Sequence, residues 1–240
     1  MEFTFLERQK IDDALKVNEK LQLKEVKAGP LTYFVIEDFL VNPYDALEIF
    51  QTYPALHPPY HSTGPGGRQI ISVIEMRPIL KVYGEILGNL KHRNINIMNF
   101  FTCSNIAYEG MKCSNEINKP HHDVNEIAIT LWMSEQKGGT AFYDYHGEPD
   151  ARKLTTKDYN DAHRHQKQIV TWENFEGDED WNLYTIVPEK FNSVVIYNGF
   201  YFHSMYPVFD KDDYRYNIIS FYYPGGIGKT WESLSEGNRS

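Results

Sequence analysis

The sequence predicts a mainly β fold of the α+β class, with a double-stranded β-helix (jelly-roll) core and N-terminal helices packed outside it. The first observation is that aromatic residues, which favour strands, make up 15% of the 240 residues. The second is that, from residue 99 onward, short runs of β-branched and aromatic residues alternate with turn residues. The third is that helical periodicity lies mainly in the first hundred residues.

The N-terminal part, residues 1–98, is expected to support the core. Apolar periodicity and turn residues predict, in order, a weakly amphipathic helix at 7–22, a strand at 31–36, a helix from Pro43 to about 53, a strand at 70–74 and a helix at 77–90. Asn42 suits the cap of the helix that Pro43 begins, because a first-turn proline lacks only an N–H that the helix does not use. These helices are expected to pack on the outside of the sheets.

Residues 99–223 are expected to form the core, and residues 224–240 a C-terminal tail, all within one domain. The core strands are predicted at 100–108, 126–133, 140–143, 183–187, 193–197 and 218–223. A polar insert at 144–182 separates the third of these strands from the fourth, and a short helix is predicted within it at 156–166. Long connections beside a site often form lids, so the insert is expected to cover the cleft. A surface excursion without a role is the alternative.

The bulk properties weigh against several classes of partner. A net charge of −9 argues against general binding to nucleic acid or to anionic membranes. The longest apolar runs are too short to span a bilayer, and the N-terminus lacks the basic and apolar segments of a secretory signal. Without a secretory context, Cys103 and Cys113 are expected to be free thiols, which predicts a cytoplasmic location.

The sequence His121-His122-Asp123 is the strongest functional signal in the chain. Alternate residues of an extended segment point to the same side, so His121 and Asp123 can share one metal ion while His122 points away. His203 follows an aromatic and β-branched run and can approach from a distant strand. Two histidines and one carboxylate are the ligands of the facial triad that holds non-haem iron(II) and leaves coordination positions open. A surface loop with unrelated histidines is the alternative.

Arg215 stands at the start of the last predicted strand, three residues before its apolar run at 218–223. It is the candidate for binding an anion. An arginine that enters such a strand needs a negatively charged partner, and its planar guanidinium suits a carboxylate. Taken alone, the same residue is also consistent with an ion pair at the surface.

These segments, taken in order, resemble the iron(II)/2-oxoglutarate-dependent dioxygenases and, among them, the prolyl-4-hydroxylase-like branch. His121-x-Asp123 matches the H-x-D of that family, and His203-Ser204-Met205-Tyr206-Pro207-Val208 matches its H-x-x-x-P-V. Tyr108-Glu109-Gly110 resembles the Y-x-x-G before the metal loop with one spacer shortened, and 138–142 resembles the Gly-Gly turn with Thr and Phe slightly displaced. Pro188 and 193–197 resemble the strand before the second histidine, and Arg215-Tyr216 takes the place of the basic residue of the last core strand. The resemblance covers residues 99–223.

The resemblance implies an oxygenase and assigns roles to the matching residues. His121, Asp123 and His203 would hold iron(II), 2-oxoglutarate would chelate that iron, Arg215 would hold the 5-carboxylate, and Tyr108 would be a further contact to 2-oxoglutarate. The partners would be 2-oxoglutarate, oxygen and an organic substrate that is amino-acid-like, peptidyl or a small metabolite. Asp123 favours hydroxylation over halogenation, because related halogenases have a small residue at that position.

Two other interpretations stay open at this point. The first is a cupin-like metal enzyme that does not use 2-oxoglutarate, such as a thiol dioxygenase or an isomerase; Arg215 argues against it. The second is a non-catalytic jelly-roll binding module, which gives no reason for His121, Asp123 and His203 to converge. Zinc hydrolysis is disfavoured because no H-E-x-x-H occurs. The glycine-rich run at 225–230 lacks the first glycine of a phosphate-binding loop, so a C-terminal turn is expected there.

Overall fold

A computed structural model of the protein describes residues 5–52, 67–71, 76–89, 95–104, 120–123, 125–134, 138–165, 177, 179–206 and 215–224. The helices in these ranges are α1 (Phe5–Ala14), α2 (Pro43–Thr52), α3 (Arg77–Asn89) and α4 (Thr156–His165). The strands are β1 (Lys24–Ala28), β2 (Leu31–Ile36), β3 (Gly67–Ile71), β4 (Ile95–Ser104), β5 (Ile127–Trp132), β6 (Gly139–Tyr145), β7 (Trp181–Pro188), β8 (Ser193–Asn198), β9 (His203–Tyr206) and β10 (Arg215–Pro224). None of the helices in the described part combines the length and the apolar character needed to cross a membrane.

The described strands form two antiparallel sheets, which confirms the predicted α+β fold with a double-stranded β-helix core. The larger sheet has the order β1-β2-β8-β5-β10-β4-β3, and the smaller sheet has the order β7-β6-β9. The two sheets pack face to face: the ring of Phe142 in β6 lies 6.3 Å from that of Tyr33 in β2 and 5.2 Å from that of Tyr197 in β8. Inward-facing side chains of both sheets therefore line one common interior.

Helix α3 covers the outer face of the larger sheet. Tyr83 in α3 is fully buried, and its ring lies 6.3 Å from that of Tyr222 in β10 and 5.5 Å from that of Phe39. Side chains alternate along a strand, so Tyr222 on the outer side of β10 places Arg215 and Asn217 on its inner side. The packing of α3 thereby fixes the face of β10 that looks into the interior.

The described part of the insert packs on the outer side of the smaller sheet. Helix α4 agrees with the helix predicted at 156–166. Its Ala162 is completely buried in a second apolar cluster with Trp181 of β7 and Phe202. Residues 166–176 lie outside the described residues, so a lid over the cleft stays a prediction.

Two observed strands are not predicted from the sequence, one predicted helix ends earlier, and strands β3 and β4 begin three and five residues before their predicted starts. Helix α1 stops at Ala14 because the next residues pair with another segment: Val17 bridges to Leu40, and the N–H of Val41 donates to the carbonyl of Lys16. Strand β1 is an edge strand in which three of five residues are charged, so it lacks the alternation of a half-buried strand. Strand β9 has only four residues and is defined by its pairing with β6.

Candidate functional site

His121, Asp123 and His203 come together, with one potential ligand atom from each lying within 4.8 Å of the others. The backbone pairing of two segments sets this arrangement. The N–H of His121 donates to the carbonyl of His203 at 2.9 Å, and the N–H of His203 donates to the carbonyl of His121 at 2.7 Å. The N–H of Asp123 donates to the carbonyl of Gly199 at 2.7 Å. The pairing of the segment before β5 with the start of β9 therefore brings the side chains of His121, Asp123 and His203 next to one another.

The ring of His203 is oriented for a cation. Its Nδ1 lies 2.7 Å from the carbonyl oxygen of Tyr201, and because a carbonyl only accepts, Nδ1 carries the hydrogen. The lone pair of Nε2 then points toward Asp123, with Nε2 3.3 Å from Oδ2 of the carboxylate. A hydrogen bond from the far nitrogen to a carbonyl is the usual way in which a metal-bound histidine is fixed.

Asp123 Oδ2 is buried without a hydrogen-bond partner in the described part of the chain. Such an atom is costly unless a cation or a donor compensates it. Burial acts to raise the pKa of Asp123, but the nearby imidazoles of His203 and His121 outweigh it and the pKa is lowered. Burial acts to lower the pKa of His203, but Asp123 and the Tyr201 carbonyl raise it overall. The site therefore favours a positive charge between these groups, and two imidazoles with one carboxylate fit a divalent metal ion.

His122 points away from this cluster and contacts the insert. Its Nδ1 lies 2.9 Å from the carbonyl oxygen of Asp123, and its Nε2 lies 3.0 Å from the hydroxyl of Tyr159 in α4. Burial, as the largest cause, lowers the pKa of His122. The pattern His121-His122-Asp123 predicts that the middle residue faces the other way, but nothing in the sequence singles out Tyr159 as its partner.

Arg215 is buried at the start of β10 and has a negatively charged partner within the chain. Its Nε donates to Oε2 of Glu189 at 2.6 Å, and its Nη2 donates to the carbonyl of Gly139 at 3.0 Å. The hydroxyl of Ser134 donates to Oε1 of Glu189 at 2.8 Å. Burial raises the pKa of Glu189, while Arg215 and Ser134 oppose the rise. The sequence indicates that Arg215 needs an anion, but a single glutamate after Pro188 carries no signal that it is the partner.

Arg215 lies between the sheets, along the smaller sheet from His203. It belongs to the larger sheet but reaches across to Gly139 in the smaller one. Gly139 pairs with Tyr206 and Phe142 pairs with His203, so the carbonyl that holds Arg215 lies three residues from His203 along the strand, or about 10 Å. The guanidinium of Arg215 therefore lies in the same interior as the cluster of His121, Asp123 and His203.

Polar side chains surround the space near Arg215 and Asp123. Burial, then the charge of Asp123, raises the pKa of Tyr197, whereas Arg215 lowers it, so the Tyr197 hydroxyl lies within electrostatic range of both. On the inner face of the larger sheet, Asn217 and Trp132 are paired in register. Within the described ranges, Asn217 Oδ1 and Trp132 Nε1 are buried without hydrogen-bond partners. The interior thus offers a polar acceptor and a polar donor to a ligand.

Some residues singled out by the sequence cannot be placed at the site. Tyr108, the predicted further contact to 2-oxoglutarate, lies outside the described residues, as does the run at 225–230. The placement of Tyr108 therefore stays a prediction.

The fold is similar to that of HygX from Streptomyces hygroscopicus. The HygX structure with nickel and 2-oxoglutarate bound is 10% identical, with a TM-score of 0.51 and coverage of 80% of this chain and 83% of that chain. The structure with nickel, 2-oxoglutarate and hygromycin B bound is 9% identical, with a TM-score of 0.52 and the same coverage. A prolyl-4-hydroxylase from Pseudomonas putida is 11% identical, with a TM-score of 0.40 over 91% of this chain and 99% of that chain. At these identities the similarity is one of fold, and it assigns no branch.

A family model matches most of the sequence. No curated protein matches the sequence of this protein. The model, described as a family of unknown function (DUF6445), matches residues 18–208. The matched region runs from the N-terminal supporting elements through the insert to His203 and ends before Arg215. The chain therefore belongs to the DUF6445 family of proteins of unknown function.

Proposed function

We propose that the protein is an iron(II)- and 2-oxoglutarate-dependent oxygenase that hydroxylates an organic substrate. The observation that carries the proposal is the cluster of His121, Asp123 and His203, in which a buried carboxylate oxygen has no hydrogen-bond partner in the described part. This cluster lies in a double-stranded β-helix of the kind in which HygX holds nickel and 2-oxoglutarate.

The three side chains would bind the metal from one face, leaving the opposite positions for other ligands. Asp123 supplies the anionic ligand, and the Tyr201 carbonyl holds the His203 ring so that Nε2 points at the metal position. Bound iron(II) would supply the oxidative chemistry, in which 2-oxoglutarate is decarboxylated to succinate and oxygen provides the atom added to the substrate. The chain itself would bind the reactants, orient them and exclude water.

Arg215 is the proposed anchor for the 5-carboxylate of 2-oxoglutarate. Glu189 and the Gly139 carbonyl hold the guanidinium through Nε and Nη2, which fixes its plane between the two sheets. The Gly139 carbonyl that holds this guanidinium lies about 10 Å from His203 along the strand, a spacing that suits a five-carbon dicarboxylate that binds the metal at one end. Glu189 already balances the charge of Arg215, so binding would depend on the hydrogen bonds that the guanidinium still offers.

The proposed substrate is an amino-acid-like, peptidyl or small-metabolite molecule. The resemblance to prolyl-4-hydroxylases supports the first two classes, and the HygX structure that holds hygromycin B supports the third. Asp123 occupies a ligand position that halogenation would need for a halide, which supports hydroxylation as the reaction.

The test is succinate formation from 2-oxoglutarate by protein loaded with iron(II) under anaerobic conditions and then exposed to oxygen. We expect a slow background turnover, stimulation by the true substrate among amino acids, peptides and small metabolites, and no turnover by Asp123→Ala. If iron binds but 2-oxoglutarate is never consumed, the cupin-like interpretation replaces this one. If no metal binds, the protein is better described as a binding module.

A further inference from the structure

The insert reaches the metal ligands through one side chain of α4. The hydroxyl of Tyr159 lies 3.0 Å from Nε2 of His122, and Nδ1 of the same ring lies 2.9 Å from the carbonyl oxygen of Asp123. Tyr159 is 37 residues away from His122 in sequence, so the contact depends on how the insert docks. A chain of two hydrogen bonds therefore connects α4 to the residue that supplies the carboxylate.

The direction of both hydrogen bonds follows from the groups involved. A carbonyl oxygen only accepts, so Nδ1 of His122 must carry the hydrogen that it donates to Asp123. In the neutral ring, Nε2 then has a lone pair, and the hydroxyl of Tyr159 donates to it. Each group has a single role in this chain, and phenylalanine in place of Tyr159 would remove one hydrogen bond while keeping the ring.

Both partners of this contact are fixed by packing. Helix α4 is anchored by Ala162, which is fully buried with Trp181 and Phe202. The ring of His122 lies 5.9 Å from that of Phe202 and 5.4 Å from that of His163, which extends the wall formed by α4. The hydroxyl of Tyr159 therefore meets His122 in a defined geometry.

One side-chain contact of the Asp123 carboxylate is the 3.3 Å approach of its Oδ2 to Nε2 of His203. Its Oδ2 has no hydrogen bond in the described part, whereas its backbone is held on both sides. The N–H donates to the carbonyl of Gly199, and the carbonyl accepts from His122. The two peptide groups that flank Asp123 therefore fix the backbone from which its carboxylate approaches His203.

We propose that Tyr159 and His122 are positioning residues for Asp123. Through them, the docked insert would hold this metal ligand in place. The inference rests on the metal site of the proposed function, and it gives the described part of the insert a role in metal binding. Outer partners that orient metal ligands typically change metal affinity by about 10- to 100-fold when they are removed. The lid predicted for part of residues 144–182 is a separate prediction.

The experiment measures the affinity of the full-length, metal-free protein for cobalt(II), followed by the visible absorption of the bound ion. Tyr159→Phe should weaken binding by about 10-fold, and His122→Phe should weaken it at least as much. The double variant should bind no more weakly than His122→Phe, because the chain of hydrogen bonds is already broken. Tyr184→Phe, the same change at an exposed tyrosine of β7, should bind cobalt(II) like the wild type.

Thermal unfolding of the metal-free variants separates this role from a general loss of stability. Tyr159→Phe should melt close to the wild type and still bind cobalt(II) more weakly. Wild-type cobalt(II) affinity in Tyr159→Phe, or losses of affinity that add in the double variant, would overturn the positioning role of Tyr159 and His122. Either result would leave the proposed metal site intact. Failure of the wild type to bind cobalt(II) at a site that Asp123→Ala abolishes would overturn the proposed function and this inference together.

Discussion

Removing one partner of the Glu189–Arg215 pair should destabilise the protein far more than removing both. The side chains are 0% and 6% exposed, and Nε of Arg215 lies 2.6 Å from Oε2 of Glu189. Glu189→Leu leaves the guanidinium buried without its anion and leaves the Ser134 hydroxyl without its acceptor. Breaking one side of such a buried pair costs about 3–5 kcal/mol, whereas exchanging both partners for apolar residues of similar volume is often close to neutral.

The assay is thermal unfolding of three variants beside the wild type. For a chain of this size about 1 kcal/mol corresponds to 2–4 °C, so Glu189→Leu and Arg215→Met should each lower the melting temperature by about 6–20 °C. The double variant should recover most of the loss. Glu37→Gln is the matched control, because its ion pair with Lys190 is exposed and should contribute little. An unchanged melting temperature in Glu189→Leu, or a double variant as unstable as the single variants, would refute the reasoning that each buried charge depends on the other for compensation.

Three further predictions concern the ligands and the sheet that frames them. The folded double variant Glu189→Leu/Arg215→Met should keep metal binding but bind 2-oxoglutarate about 10-fold or more weakly by calorimetry, since it loses the guanidinium hydrogen bonds and a hydrogen bond to a charged group contributes about 1.5–3 kcal/mol; unchanged affinity would place the anchor elsewhere. Wild-type protein in high chloride should give a hydroxylated product, and Asp123→Gly should weaken iron binding and nearly abolish turnover; a chlorinated product from the wild type would contradict the assignment. Gly139→Ala should cost about 1–3 kcal/mol by denaturant unfolding, because its Cβ would lie 2.1 Å from the Val187 carbonyl oxygen; wild-type stability would show that β6 and β7 can separate there.

The sequence predicts best those strands whose own residues form a recognisable apolar or β-branched run. β2 and β8 have continuous apolar or β-branched runs, and their observed bounds lie within a residue of the predicted ones. β1 and β9 do not have such a signal. One is a charged edge strand, and the other has four residues whose extended form depends on pairing with β6. Local pattern is therefore informative for central strands and weak at edges.

The candidate site divides in a similar way. His121 and Asp123 could be expected to share a side because extended residues alternate, and His203 could be added because its motif follows a strand. Glu189 and Tyr159 could not, because each contact depends on tertiary docking: Glu189 is 26 residues from Arg215, and Tyr159 contacts His122 only because α4 docks beside it. Single residues that act through such contacts leave no spacing pattern.

The measurement that tests the central claim most directly is an anaerobic titration of the metal-free protein with iron(II), followed by addition of 2-oxoglutarate. We expect one iron(II) per chain, and then a visible charge-transfer absorption when the keto acid chelates the bound metal. Asp123→Ala should lose both signals, while Tyr184→Phe should keep them. Binding of 2-oxoglutarate that does not depend on the metal, or iron binding that survives in Asp123→Ala, would contradict the account.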